Sequence, residues 1–260
     1  EATLAQMYRE VRPDGHVMGG AMEYLSRGLK DQGWSKTGKV LAILFCFLTI
    51  GASLGGGNAF QVSQSLSAVQ QQIPALVEYS CVYGVVMGFL VGVVIIGGIR
   101  RIAHTAQAIV PSMVFIYLIA CLWIILGHVN EVPRAMLLIV TEAFTLDAGF
   151  GGLLGILIVG FMRAAFSSEA GLGSAAIAHA AARVKYPVRQ GIVALMEPFI
   201  DTVVICTMTA LVIIITGVYT DAQYAPLIDA NKGAALTSAA FGTVISWFPI
   251  ILSISVVLFA

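Results

Sequence analysis

Charge is what this sequence has least of. Asp, Glu, Lys and Arg make up 11% of its 260 residues, where a soluble domain carries about a quarter. The two signs cancel to a net charge of zero, so nothing points to a nucleic-acid partner. Cysteine is also scarce. Cys46, Cys81, Cys121 and Cys206 fall one each in four separate apolar runs. Cysteine in such a setting acts as a small hydrophobe, and we expect neither a disulfide nor a zinc site. His16, His104, His128 and His179 are scattered without metal-ligand spacing. No glycine-rich phosphate loop with a lysine is present, so an ATP-driven pump is unsupported. Gly51-Ala52-Ser53-Leu54-Gly55 has the outward form of a nucleophile elbow. That elbow requires a strand-turn-helix context, and this one lies in an apolar run. Neither enzyme chemistry nor a cofactor is expected. A secretory leader is not visible either, because Glu1 opens a polar stretch. The first residue is not Met and Ala260 sits inside an apolar run, so we read the chain as an interior piece of a longer protein.

What is abundant is apolar. Hydrophobic residues make up 58% of the chain and the mean hydropathy is +0.91. The pattern predicts an all-α integral membrane protein. Residues 1–39 form a polar loop, with Pro13-Asp14-Gly15 as a turn and a short amphipathic helix from Met22 to Leu29. Apolar runs follow at about 40–66, 79–99, 109–126, 148–166, 190–217 and 244–260. Each complete run is at or near the roughly 20 residues a bilayer requires. In the second, Gly84, Gly88 and Gly92 share one face, a spacing that lets helix backbones approach closely. If the loops are numbered alternately, one side receives eleven Lys and Arg and the other two. The positive-inside rule then places the N-terminal loop in the cytoplasm of a cell-membrane protein.

One stretch does not behave as a plain helix end. After the run from Ala148 to Ala165 comes Phe166-Ser167-Ser168-Glu169-Ala170-Gly171-Leu172-Gly173-Ser174. Polar, helix-breaking sequence at membrane depth is tolerated where it is packed in protein or lines a cavity, and in transporters such breaks often make the binding site. The polar end of a helix and its first loop would read the same way. Asn58 and Gln61 lie inside the first run, next to Gly55-Gly56-Gly57; interhelical hydrogen bonding and a ligand site are both open to them. Glu197 and Asp201 are four apart in the fifth run. Asp201 lies twelve residues past Arg189, roughly 18 Å deep at about 1.5 Å per residue. An ionisable group at that depth is a functional candidate, and a carboxylate paired with Arg or a backbone N–H is the alternative. Arg163 either snorkels to the interface or pairs with Glu169.

The stretch from Ser167 also resembles the signature of the alanine-or-glycine:cation symporter family, whose usual form is Ser-Asn-Glu-Ala-Gly-x-Gly-Ser-Ala-Pro. This chain has Ser168 for the usual Asn and Ala176 for the usual Pro. Gly57-Asn58-x-x-Gln61 matches a pattern in the family's third transmembrane helix, where the Gln faces the amino-acid site. Glu1, Leu4, Ala5, Tyr8, Arg9 and Gly19-Gly20 match a loop pattern, with Ala21 where Pro is usual. Gly160-Phe161-Met162-Arg163-Ala164 stands where the family has Gly-x-x-Arg-Gly, so the position of a break among Gly160, Ala164 and Gly171–Gly173 stays open. Phe199-Ile200-Asp201-Thr202 resembles a segment of the seventh helix.

The resemblance implies a leucine-transporter-like inverted-repeat helix bundle, incomplete here, with the fourth run as its broken sixth helix. It implies import of alanine or glycine coupled to sodium or proton entry. The expected substrate residues are Asn58, Gln61, Ile158, Gly160 and Phe161. The expected hinge or coupling residues are Ser167, Ser168, Glu169, Gly171, Gly173 and Asp201. Most of the sodium site is expected on helices outside the chain. The rival expectation is a channel or a structural subunit of a membrane complex.

Overall fold

The structure is a computed structural model that describes residues 1–54, 58–143, 157, 160, 169 and 171–259. Helices dominate the described residues. The only strands among them are Glu10–Val11 and Val17–Met18, a small antiparallel hairpin that pairs Glu10 with Met18. The chain divides into two compact units.

One unit comprises Glu1–Gly57 and Asp147–Val204. It opens with the short helix Ala2–Met7, the hairpin, and the helix Ala21–Asp31, which reverses directly into Ser35–Ala52. Those last two helices cross at Gly38, where an added Cβ would stand 2.6 Å from the Leu25 carbonyl oxygen. Only glycine permits that approach. Arg27 ties the region together on its surface. It bonds to Glu10 on the hairpin, and its Nε lies 2.8 Å from Glu23 one helical turn away. The Arg27 hydrogen bond and charge hold the Glu10 carboxyl below its ordinary range. The unit continues with the helices Ala175–Ala180 and Pro187–Pro198, and both pack on Ala2–Met7. Its small core joins Ala5, Ala176 and Ala180, with Val17 and Tyr24 against them.

The other unit comprises Asn58–Leu146 and Ile205–Ala260. It contains the helices Asn58–Gln72, Ser80–Ile95, Gly98–Gly127, Val132–Ala143, Thr207–Thr216, Gly233–Val244 and Phe248–Phe259. Its core is built from larger side chains, among them Ile124, Val212, Phe241, Phe248 and Leu252. The Phe241 ring lies 5.5 Å from Tyr117 and 4.8 Å from Phe248, centroid to centroid, within the range where aromatic pairs attract. Polar side chains join helices at specific points. The hydroxyls of Ser65 and Tyr83 are 2.8 Å apart. Ser253 Oγ donates to the Ala68 carbonyl at 3.2 Å.

Ser35–Ala52, Gly98–Gly127 and the continuous stretch Pro187–Thr216 are long and apolar enough to cross a membrane; Ser80–Ile95, Gly233–Val244 and Phe248–Leu258 are shorter apolar helices. Large apolar side chains such as Phe47, Phe89, Phe115 and Trp123 stand on the outside. Such a surface is stable in lipid rather than water. The apolar run 40–66 falls on two helices, Ser35–Ala52 and Asn58–Gln72. The run from 109 is the end of a helix that begins at Gly98 and absorbs Pro111. Gly84, Gly88 and Gly92 differ from the sequence reading: among the described residues, no atom lies within 4 Å of a Cβ added at any of them. Among the described residues no helix crosses closely upon that face.

Candidate functional site

The Ser-Ser-Glu-Ala-Gly-Leu-Gly stretch ends in a tight, non-helical turn. Glu169, Gly171 and Gly173 all have left-handed backbone, with φ of 51°, 89° and 85°. A left-handed conformation costs an ordinary L-residue roughly 1–2 kcal/mol. Glycine carries no such penalty, which accounts for the residue type at two of the three positions. Glu169 is the exception, and local bonds hold it. Its carboxylate accepts from Ser174 Oγ at 2.6 Å, and its carbonyl accepts from the Leu172 N–H at 3.2 Å. The two glycines differ in surroundings. A Cβ on Gly173 would meet the Phe45 ring at 2.7 Å and Ala21 at 3.1 Å, whereas no described atom lies within 4 Å of one on Gly171.

Ser174 starts the helix Ala175–Ala180 that follows. Ala176, which stands where the resembled pattern has Pro, is fully buried in the alanine core. His179 projects from this helix toward Pro187–Pro198. Gln190 Nε2 lies 2.8 Å from His179 Nδ1, and Glu197 Oε2 lies 3.9 Å from His179 Nε2. A cleft of about 390 Å³ opens beside them, lined by Gly171, Ala175, His179, Ile192, Leu195 and Glu197 among others.

Asp201 lies in the same stretch of chain as Glu197, but the helix changes character between them. Pro187–Pro198 is α-helical, and Phe199–Cys206 is π-helical. Pro198 has no N–H to give to the α-helical ladder, and the wider i→i+5 pattern begins just after it. The sequence spacing of four therefore does not keep Glu197 and Asp201 on one α-helical face. Asp201 is half-buried.

The remaining candidates are less fully placed. Gln61 is an exposed residue of the helix Asn58–Gln72 in the other unit, and Asn58 is that helix's first residue. Gly160 is helical and exposed, with no described atom within 4 Å of an added Cβ. Ile158, Phe161, Ser167 and Ser168 lie outside the described residues, as does Arg163. Among the described residues, no cluster of three or more His, Cys, Asp or Glu side chains has metal-binding geometry.

Two residues of the opening loop reach this region as well. Gln6 and Arg9 both donate to carbonyls at the end of the helix Ala175–Ala180. Sequence reasoning picked out Arg9 only as part of a loop pattern and did not single out Gln6. A glutamine in a polar loop carries no mark of a partner more than a hundred residues away.

Several apolar helices and an apolar exterior define a multi-pass α-helical membrane protein. Comparison with known proteins makes this specific. The profile of the sodium:alanine symporter family matches residues 1–260, and the chain belongs to that family. It is 38% identical to the sodium/alanine symporter AgcS of Methanococcus maripaludis, over 100% of this chain and 55% of that protein. It is 37% identical to the putative sodium/proton-dependent alanine carrier protein YrbD of Bacillus subtilis, over 95% of this chain and 50% of that one. Against the probable sodium/glutamine symporter GlnT of Bacillus subtilis the identity is 33%, over 100% and 51%. The chain thus spans about half the length of these curated relatives.

Proposed function

We propose that this chain is the part of a secondary active transporter that carries a small neutral amino acid, alanine or glycine, inward together with sodium or a proton. The observation that carries the reading is the left-handed turn from Glu169 to Gly173, in a chain that matches the symporter family along its whole length. A break in a membrane helix frees N–H groups and a positive helix end for a carboxylate, and frees C=O groups for a cation. In this reading the fold is the leucine-transporter-like inverted repeat. Asn58, Gln61, Ile158, Gly160 and Phe161 face the substrate. Ser167, Ser168, Glu169, Gly171, Gly173 and Asp201 form or brace the hinge and couple it to the ion. The Gln61 amide offers both a donor for the substrate carboxylate and an acceptor for its ammonium group. The N-terminal loop is cytoplasmic, with Arg100, Arg101 and the segment Arg183–Arg189 on the same side.

The relatives' names support a small amino acid and sodium, and none of those names supports a channel. The test is uptake by the full-length protein in proteoliposomes. Saturable alanine or glycine uptake that collapses when an ionophore dissipates the inward sodium and proton gradients is the expected result. Linear flux that ignores the gradients would establish the channel instead. Gln61→Ala should weaken substrate binding by about 1–3 kcal/mol, the consequence of leaving the charged ends of the bound amino acid without this partner. Binding within a factor of two of wild type would confine Gln61 to a structural role. Impermeant thiol reagents applied to cysteine at position 101 check the orientation, since labelling from outside intact cells reverses it.

A further inference from the structure

The last carbonyls of any helix have no partner within it. At the end of Ala175–Ala180 the carbonyls of Ala178 and His179 accept from the N–H groups of Ala181 and Ala182, and the carbonyls of Ala180 and, just beyond the helix, Ala182 take side-chain donors from the opening loop. Gln6 Nε2 shares its two N–H bonds among the carbonyls of His179, of Ala180 at 3.3 Å and of Ala182 at 2.9 Å. Arg9 Nη1 donates to the Ala180 carbonyl at 2.9 Å and also to that of Ala182. A basic side chain at this end also suits the negative pole of the peptide dipoles. Gln6 is only 5% exposed, so water does not readily replace its bonds.

The backbone of the loop comes close enough to fit against the helix. A Cβ on Gly19 would lie 2.4 Å from the Ala180 Cβ, and one on Gly20 would lie 2.7 Å from Ile177 Cγ1. The apolar contact beneath the caps is small, consisting of Ala5, Ala176 and Ala180 with Val17 and Tyr24 at its edge. Directional bonds to these carbonyls therefore supply much of the grip. On its other side the helix is joined to the Glu169–Gly173 turn, whose glycines can change backbone angle without steric penalty.

We infer that Gln6 and Arg9 are positioning residues that latch the helix Ala175–Ala180 to the opening loop, and that releasing this latch opens the cytoplasmic end of the transport path. The inference rests on the symporter reading above and on its orientation. A latched helix corresponds to the outward-facing carrier and a released one to the inward-facing carrier. Weakening the latch depletes the outward-facing population. Apparent affinity measured from outside then falls in proportion to that population, while affinity measured from inside does not.

The experiment uses the full-length protein with Gln6→Ala, with Arg9→Lys, and with both. Each is reconstituted, and alanine entry is followed from each side in turn. In parallel, amide hydrogen exchange is measured over residues 175–182. The double variant is expected to raise the half-saturating alanine concentration from outside about tenfold, to leave that from inside within twofold, and to speed exchange over 175–182. Arg9→Lys keeps the charge with fewer donors, and should show a smaller shift of the same one-sided kind. Equal shifts on both sides, or no shift, overturn the latch; so does a double variant that fails to fold if Arg9→Lys folds and shows no one-sided shift. If the wild-type protein transports nothing down its gradients, the symporter reading fails instead. Unchanged exchange over 175–182 in the double variant would in that case dispose of the cap as well.

Discussion

Around Phe241, one unit is filled by rings and branched chains: Tyr117, Phe248, Ile124, Val212 and Leu252. Around Ala176, the other unit is filled by three alanines, and its joints are made by Gln6, Arg9 and close-packed glycines. Interlocked large side chains have one good arrangement and resist deformation, as close-packed interiors do. Hydrogen bonds to carbonyls over a small apolar contact have a lower threshold for release, because each contributes about 0.5–1.5 kcal/mol net. Under the proposed latch, the second region contains the element that moves and the first resists deformation.

The largest test of this contrast is Phe241→Ala. Phe241 is fully buried, and emptying such a site costs about 3–5 kcal/mol in a packed core. In lipid the transfer part of that loss shrinks while the packing part remains, so the lower end is expected. A clear drop in thermal stability of the purified protein in detergent is the measurement. An unchanged melting temperature would mean that the aromatic cluster lends no such resistance.

Next in size is a pair of glycine variants. Gly173→Val combines a left-handed backbone with overlap against the Phe45 ring, about 1–2 kcal/mol for the first and about 1–3 for the second. Coupled uptake should be lost while membrane insertion persists. Gly171→Ala meets no described neighbour, so only the backbone penalty of about 1–2 kcal/mol applies, and uptake should fall less. Equal damage from the two substitutions would show that Phe45 has no bearing on the turn.

A smaller effect belongs to Tyr117→Phe, which removes the bond between Tyr117 OH and Thr209 Oγ1 at 2.5 Å but keeps the ring against Phe241. The expected loss is about 1 kcal/mol, seen as a modest fall in melting temperature with unaltered transport. The smallest is Glu10→Gln. Glu10 is exposed, and its pairing with Arg27 lowers its carboxyl from the ordinary 4.5. Its contribution is fully present above that ordinary value and is lost as pH falls through the lowered one. Between pH 6 and pH 8 a melting curve should not distinguish Glu10→Gln from wild type, as for most exposed pairs.

The apolar runs were legible because hydropathy records what faces lipid, and their approximate positions follow from that alone. Helix ends were less legible. Arg100, Arg101 and His104 are polar, yet they sit in the helix Gly98–Gly127, since a helix continues past the membrane wherever propensity allows. Val132–Ala143 and Gly233–Val244 escaped notice because each mixes polar or small residues into its apolar face and falls short of a membrane-length run. Within the candidate site, the paired glycines of 171 and 173 announced unusual backbone, and both have positive φ. The cap from Gln6 and Arg9 left no such trace, because nothing local to either residue encodes a carbonyl near residue 180. The change from α to π winding after Pro198 was hidden for a related reason. Proline signals a lost N–H, but not how the chain around it recovers.

That winding has a bearing on tolerance of deletion. A π-helical stretch holds one residue more than an α-helical ladder needs, and it can absorb the loss of a residue by tightening. Deleting one residue within Phe199–Cys206 is therefore expected to be taken up as a change of winding, with the side chains near Asp201 shifting around the axis while the helix stays unbroken.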